Sequence, residues 1–196
     1  MDSRTCTAYD KDAAVFAQDW LAQPVPEDLY ALLQRYFSPG ATADIGCGAG
    51  RDTAWLCANG FTANGYDASA GLLEQARRRY PAISFTQAAL PALEMVPNDY
   101  FQNVLCETVI MHLQPSELPA AVRRLLDVLR VGGVLYLSWR VTTGESQRDK
   151  HDRLYAAFDA DVVLKVLDGQ EILFNREETS LSSGKTIARM ILRKTR

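Results

Sequence analysis

The stretch Ala43-Asp44-Ile45-Gly46-Cys47-Gly48-Ala49-Gly50-Arg51-Asp52 decides the fold of this chain. An acidic residue follows an apolar-leaning segment, and three glycines then alternate with other residues before a helical pattern starts. Each glycine costs backbone entropy on folding, so glycines this closely spaced indicate a sharp turn whose backbone approaches a ligand. The free N–H groups of the following helix point to the same place. The stretch therefore predicts the floor of a site for a nucleotide-like ligand.

Strand and helix patterns alternate on the C-terminal side of this turn. Short apolar segments are separated by stretches in which apolar residues recur at helical spacing. The predicted strands are 41–46, 61–66, 83–86, 100–106 and 134–139, and the predicted helices are 51–59, 69–80 and 115–130. This rhythm indicates a parallel sheet with helices on both faces.

The tail of the chain has a different pattern. A helical stretch is predicted around 153–167, followed by strands at 170–175 and 187–193. The link between these two strands has 11 residues of mostly polar character. A parallel return needs a crossover of a dozen or more residues, which is usually helical. The sequence therefore predicts that the last two strands are antiparallel.

Residues 8–37 precede the sheet and are predicted to form two helices that separate at Pro24-Val25-Pro26. Each helix has an apolar side, which is typical of packing elements. An alternative is that Tyr9 and the first helix form a lid over the ligand. At 196 residues the chain suits a single domain. Within it we expect an N-terminal helical lid at 1–38 and an α/β core at 40–196.

Composition narrows the classes of function. The net charge is −3 and the pI about 5.4, so no basic field attracts nucleic acid or an anionic membrane. The four cysteines form no CxxC pair and only two histidines are present, which argues against a metal site or a disulfide framework. No apolar run is long enough to cross a bilayer, and the first residues lack the pattern of a signal peptide. We therefore expect a cytoplasmic protein.

Two acidic residues define the ligand further. Asp67 ends the second predicted strand, 21 residues after Gly46, where a carboxylate accepts hydrogen bonds from a ribose diol. Asp44 would repel a pyrophosphate, whereas it suits a ligand with a cationic group. Arg51 stands where a dinucleotide fingerprint has its third glycine, which disfavours a nicotinamide or flavin cofactor. A single nucleoside that carries an amino acid and a sulfonium fits these residues.

These motifs resemble the class I S-adenosylmethionine-dependent methyltransferases. The resemblance lies in Asp44-x-Gly46-x-Gly48-x-Gly50, in Asp67, in the loop at 88–90 and in the segments 105–113 and 129–135. It covers residues 40–140 by motif and the tail by topology. The resemblance implies an α/β fold with a Rossmann-like, doubly wound, seven-stranded sheet, mostly parallel with an antiparallel final strand. It also implies S-adenosyl-L-methionine as the cofactor and S-adenosyl-L-homocysteine as its product.

The resemblance assigns roles to individual residues. Asp44 would lie near the methionine amino group, Asp67 would hold the ribose hydroxyls, and Ala68 would lie beside the adenine. Many relatives carry an acid that bonds the adenine amino group where this chain has Ala89, so backbone at Ala89 and Leu90 would have to supply that contact. The full set implied to bind the cofactor is Asp44, Gly46, Cys47, Gly48, Asp67, Ala68, Ala89, Leu90, Cys106, Glu107 and Met111.

Methyl transfer needs an acceptor placed in line with the sulfonium, and in some cases a base. His112 is a candidate base by position and pKa class, and Glu107 at the end of the fourth strand is another. For both, a structural or cofactor-binding role is the alternative. Arg140 follows the fifth strand, where the crevice of a parallel sheet opens, and could pair with a carboxylate or phosphate of the acceptor. The residues predicted to bind the substrate are Tyr9, Trp20, Trp139 and Arg140, with core packing as the alternative for both tryptophans.

The acceptor is the least defined part of the prediction. The segment after the fourth strand does not resemble the signatures of enzymes that methylate exocyclic amines or cytosine C5. With an acidic pI, the sequence favours a small-molecule acceptor. A protein or RNA acceptor, a SAM-binding regulator without catalysis, and an NAD-dependent oxidoreductase remain open. Membrane and nucleic-acid partners are not expected, and both a monomer and a homodimer fit.

Overall fold

The computed structural model describes all 196 residues, and its helices cover both faces of a seven-stranded sheet. The strands are β1 (Ala41–Ile45), β2 (Thr62–Asp67), β3 (Phe85–Gln87), β4 (Phe101–Cys106), β5 (Leu129–Arg140), β6 (Gln147–Arg148), β7 (Leu154–Tyr155), β8 (Glu171–Thr179) and β9 (Thr186–Arg193). The helices are α1 (Ser3–Lys11), α2 (Ala13–Ala22), α3 (Glu27–Tyr36), α4 (Arg51–Ala58), α5 (Ala70–Arg79), α6 (Leu118–Val128) and α7 (Asp161–Val166), with short 3-10 turns at Ile110–His112 and Pro115–Glu117.

The sheet has the strand order β3-β2-β1-β4-β5-β9-β8. The two remaining strands, β6 and β7, pair with each other as a separate antiparallel hairpin. Strands β1 to β5 run parallel, whereas β9 is antiparallel to both β5 and β8. The predicted parallel sheet with an antiparallel tail is therefore confirmed. Strand order reverses between β1 and β4, and ligands of open α/β sheets bind in the crevice at such a point. The glycine stretch lies at this crevice because it follows β1 directly.

Buried apolar residues fill both faces of the sheet. Helices α3 and α4 cover one face, where Leu33 and Leu56 are fully buried against Tyr136 of β5. Helix α6 covers the other face with an apolar stripe that includes Val122 and Leu125. Such burial is the main source of stability for a domain of this size. None of the helices is both long and apolar enough to cross a membrane.

A buried ion cluster joins α3 to the last two strands. Arg189 of β9 is 1% exposed and donates to Asp28 of α3 at 2.5 Å and to Glu178 of β8 at 3.3 Å. A buried charge is tolerated only with such partners. The cluster therefore ties the N-terminal helices to the antiparallel tail.

Two helical predictions need correction. The first predicted N-terminal helix is two helices, α1 and α2, which are interrupted at Asp12. The first of them begins at Ser3, where the Asp2 side chain accepts from the Thr5 N–H. The helix predicted around 153–167 is reduced to α7, and β7 takes its first residues. Here the Asp149 carboxylate accepts the N–H groups of residues 151 and 153. Such local side-chain bonds compete with helix formation.

Candidate active site

A cavity of about 460 Å³ opens at the carboxyl ends of β1 and β4. Residues 46–49 form its floor, and its walls come from α1, α2, the β6–β7 hairpin and the β8–β9 loop. This volume is in the range of small-molecule and cofactor sites. Since the cavity coincides with the point where strand order reverses, the fold and the cavity indicate the same binding site.

Neighbouring side chains pack so closely on the backbone of the glycine stretch that Gly46 and Gly48 have no room for a Cβ atom. Gly46 and Gly48 have φ angles of +77° and +54°, in the left-handed region that glycine adopts without strain. A Cβ atom on Gly46 would overlap the Val109 side chain, and one on Gly48 would lie 2.8 Å from Cζ3 of Trp20. The Gly46 N–H donates to the Tyr66 carbonyl at 2.7 Å, which fixes the turn against β2. The turn is thus a rigid cradle of bare backbone.

Asp67 ends β2 with its carboxylate beside the glycine stretch. Its Oδ2 accepts from the Gly48 N–H and its Oδ1 from the Ser69 N–H, each at 2.8 Å. Each oxygen keeps a second lone pair, and the side chain lines the cavity. Burial raises the pKa of Asp67, while the two amide donors act in the opposite direction. The carboxylate is therefore fixed in orientation and able to accept from a ligand.

Three residues predicted at the site do not line the cavity. Asp44 is 3% exposed beneath α4, where it accepts from Thr53 Oγ1 at 2.6 Å, and burial raises its pKa to about 8. Cys106 ends β4 with its side chain fully buried in the core. Trp139 packs against Phe158 with ring centroids 5.6 Å apart. Successive residues of a strand face opposite sides of the sheet, so Trp139 points away from the side that Arg140, the next residue of β5, occupies.

Glu107, the residue after β4, does reach the cavity. Ser138 Oγ donates to the Glu107 carboxylate and accepts from the Thr108 N–H at 3.0 Å. Thr108 has a φ of +55°, a strained conformation for a β-branched residue that is typical of functional sites. Burial raises the pKa of Glu107, and the Ser138 hydroxyl opposes this shift. The end of β4 therefore presents an oriented carboxyl group to the cavity.

His112 lies buried against Tyr9 of α1. A carbonyl can only accept, so His112 Nδ1 donates to the Leu154 carbonyl at 2.5 Å. The lone pair of the neutral ring is then on Nε2, which lies 3.1 Å from the Tyr9 hydroxyl. Arg153 Nη1 donates to the same hydroxyl oxygen at 3.3 Å. Burial lowers the pKa of His112 to about 4 and raises the pKa of Tyr9, so both groups are uncharged at neutral pH.

The arginines that line the cavity differ in their partners. Arg51 and Arg153 are held by the carboxylates of nearby aspartates, at N–O distances of 2.9 and 2.6 Å. Arg140 is half-buried and has no carboxylate partner, and its guanidinium carbon stands 4.8 Å from the centre of the Tyr155 ring. Its positive charge is therefore available to a ligand.

The cavity brings together most of the residues predicted at the site. Those that line it are Tyr9, Trp20, Gly46, Cys47, Gly48, Asp67, Ala68, Ala89, Leu90, Glu107, Met111, His112 and Arg140. Trp20 lies against Gly48, so this predicted substrate residue stands beside the glycine stretch. No group of three or more histidine, cysteine, aspartate or glutamate side chains converges in a metal-binding arrangement.

Two parts of the cavity wall were not predicted. Arg153 and Tyr155 belong to the β6–β7 hairpin, whose two-residue strands are too short to produce a periodic pattern. Residues 180–185 of the β8–β9 loop also reach the cavity. Their serines and glycine signal a loop, but the direction that the loop takes depends on contacts far away in the sequence.

A family model described as a methyltransferase domain matches residues 43–133, which include the glycine stretch, Asp67 and Glu107. Trans-aconitate 2-methyltransferase of Methylobacterium nodulans is 37% identical over 92 residues, covering 45% of this chain and 35% of that protein. The protein of the same name from Rhodopseudomonas palustris is 35% identical over 123 residues, covering 61% of this chain and 42% of that protein. The chain thus spans less than half the length of these relatives.

The fold has a close counterpart among solved structures. The 1,6-didemethyltoxoflavin-N1-methyltransferase of Burkholderia thailandensis, determined with 1,6-didemethyltoxoflavin and S-adenosylhomocysteine bound, superposes with a TM-score of 0.76 at 20% identity. The superposition covers 99% of this chain and 88% of that one. Residues 43–133 therefore match a methyltransferase domain, and the chain as a whole has the fold of this solved methyltransferase.

Proposed function

We propose that this protein transfers a methyl group from S-adenosylmethionine to a small-molecule acceptor. The observation that carries the proposal is one continuous cavity with two kinds of wall. On one side lie the glycine stretch and Asp67, which suit a nucleoside. On the other lie Glu107 and Arg140, which offer a carboxyl group and a free cation to a second ligand.

The residues present fit the cofactor. The backbone of residues 46–49 lines the cavity, and Asp67 keeps acceptor capacity for ribose hydroxyls. Ala68 would lie beside the adenine, and Ala89 and Leu90 would contribute backbone groups to it. When bound, S-adenosylmethionine supplies a methyl group that its sulfonium already activates.

The protein's own contribution is placement, exclusion of water and, for some acceptors, removal of a proton. Tyr9 of α1 and Tyr155 of the β6–β7 hairpin line the cavity and occupy volume that water would otherwise fill. Where the acceptor must lose a proton, Glu107 is the better candidate base, since it lines the cavity and burial raises its pKa. The lone pair of His112 faces the Tyr9 hydroxyl instead.

A small acceptor is favoured over a macromolecule for two reasons. The curated relatives are named for trans-aconitate, a small tricarboxylic acid, and the structural counterpart for 1,6-didemethyltoxoflavin. In addition, the cavity has a volume of about 460 Å³, which suits a cofactor together with a compact acceptor. The net charge of −3 gives no general attraction for RNA.

The test is transfer of tritium from methyl-labelled S-adenosylmethionine into a cell extract that has been separated by molecular size. We expect labelled product in the small-molecule fraction. Label in protein or RNA would assign a macromolecular acceptor, and binding of S-adenosylhomocysteine without any labelled product would favour a regulator. Binding of NAD but not of S-adenosylhomocysteine would overturn the proposal.

A further inference from the structure

We infer that the acceptor carries an oxyanion, either a carboxylate or a phosphate, and that Arg140 binds it at the outer end of the cavity. The inference rests on the proposed function, because it names the chemical class of the molecule that the same site takes. Two observations carry it, a guanidinium without a carboxylate partner and a second hollow that adjoins the main cavity.

The Arg140 side chain is held in position, but no acidic group pairs with its charge. It is the last residue of β5 and lines the cavity, and its backbone N–H donates to Met111 Sδ at 3.4 Å, which fixes the start of the side chain. No carboxylate or carbonyl accepts from its five N–H donors. Its guanidinium carbon stands 4.8 Å from the centre of the Tyr155 ring. Contact with an aromatic face leaves the N–H edge of a guanidinium free for an oxyanion.

The other charges around Arg140 cancel in pairs. Arg153 donates through two nitrogens to one oxygen of Asp149, at 2.8 and 2.6 Å. Arg148 donates to both carboxylate oxygens of Asp2, each at 2.9 Å. These acids are therefore neutralised where they stand. Unlike these two arginines, Arg140 makes no ion pair with an acid, so its charge is open to a ligand.

The second hollow has a volume of about 200 Å³ and shares Arg140 and Tyr155 with the main cavity. Its other polar walls are Thr142, Thr143, Gln147, Arg148 and Asp149, and the Asp149 carboxylate is paired with Arg153. Hydroxyl and amide groups supply further donors to an oxyanion. A planar guanidinium binds a carboxylate or a phosphate through two parallel hydrogen bonds, which fixes the orientation of the ligand as well as its charge. An acceptor anchored here would extend its other end into the main cavity.

Isothermal titration calorimetry on protein saturated with S-adenosylhomocysteine tests this inference. The titrants are trans-aconitate, tricarballylate and glycerol 3-phosphate, and their neutral counterparts are the trimethyl esters of the two acids and glycerol. We expect at least one oxyanion to bind the wild-type protein at least tenfold more tightly than its neutral counterpart. Preference for the acids or for the phosphate distinguishes the two sources of charge.

Variants of Arg140 test whether this residue binds the oxyanion. Arg140→Gln is expected to weaken binding of that oxyanion at least tenfold and to leave the affinity for S-adenosylhomocysteine unchanged. Arg140→Lys should fall between, because lysine keeps the charge without the planar fork. Arg176→Gln, on the exposed part of β8, is the matched control and should bind as the wild type does.

The titrations distinguish a failure of the oxyanion inference from a failure of the proposed function. If the protein binds S-adenosylhomocysteine but none of the oxyanions, or if Arg140→Gln binds them like the wild type, the inference is wrong and the proposed function stands. Failure to bind S-adenosylhomocysteine overturns the proposed function itself. If Arg140→Gln does not fold, the contrast between acid and ester on the wild type, together with Arg140→Lys, decides the question.

Discussion

Polar side chains at the cavity are held by bonds to the protein before any ligand arrives. Two backbone amides orient Asp67, and a carbonyl and a hydroxyl occupy both nitrogens of His112. Leaving a buried polar group without a partner costs about 1–3 kcal/mol, so these bonds fix which lone pairs face the cavity. Ligand affinity and pH dependence should therefore change in predictable ways when single side chains are replaced.

Asp67→Ala should weaken binding of S-adenosylhomocysteine by about 1.5–3 kcal/mol, because a charge-assisted contact to the ribose would be lost. Calorimetric titration measures the change, and circular dichroism checks that the fold is kept. Glu74→Ala, on the exposed face of α5, is the control and should bind normally. Wild-type affinity in Asp67→Ala would contradict the ribose assignment.

His112 should make the protein less stable in acid. Its pKa is about 4 in the folded chain and 6.5 when unfolded, so between these values the unfolded chain binds more protons. Because of this group, the free energy of unfolding should fall by about 3 kcal/mol as the pH falls from 7 to 4. Urea unfolding at a series of pH values measures the slope. In His112→Gln the slope should be smaller, and equal slopes in the two proteins would refute the shift.

Regular elements could be predicted wherever a local pattern specifies them. The second half of β5 follows from its apolar run, and α5 follows from its cap at Ser69, which accepts from the Leu72 N–H. The separation of α1 from α2 and the β6–β7 hairpin could not be predicted in this way. The hairpin depends on contacts such as Arg148 with Asp2, which join residues at opposite ends of the chain.

The residues of the site likewise divide into those that a local pattern places and those that tertiary contacts place. Asp67 could be placed by counting from the glycines, because β1 and β2 are adjacent parallel strands that end at the same edge. The resemblance places Asp44 near the methionine amino group, whereas its side chain faces α4 and accepts from Thr53, because the direction in which a strand residue points also matters. Arg153 reaches the cavity through tertiary contacts alone.

The glycine stretch should tolerate no side chain at position 48. Gly48→Ala would place a Cβ 2.8 Å from Trp20 at a φ of +54°, so we expect at least tenfold weaker binding of S-adenosylhomocysteine. Gly60→Ala is the matched control, since it has a φ of +88° and open space around the new atom. It should cost only about 1 kcal/mol of backbone strain and leave binding intact. Equal binding by both variants would show that the turn does not contact the ligand.

On the scale of the whole molecule, elements distant in sequence meet around one cavity. The N-terminal helix supplies Tyr9, the first two strands supply the glycine stretch and Asp67, and the tail supplies the loop at 180–185. A ligand that touches all of them links these parts to one another. Its binding energy therefore adds to the stability of the entire fold.

S-adenosylhomocysteine should accordingly raise the melting temperature. At a concentration one hundred times its Kd, a ligand that binds only the folded state adds about 2.7 kcal/mol. For a chain of 196 residues this corresponds to a rise in Tm of roughly 5–10 °C. Differential scanning fluorimetry measures it, with NAD at the same concentration as the control. A similar rise with NAD would favour a dinucleotide site instead.

The place of β9 has a consequence for synthesis on the ribosome. This strand, residues 186–193, fills the gap between β5 and β8, so β5 has an unpaired backbone edge until the tail has been translated. An open edge of this kind can pair with other unfinished chains. Nascent chains stalled before residue 186 should therefore need chaperones to stay apart, and the synthesis of β9 is the step that closes this edge of the sheet.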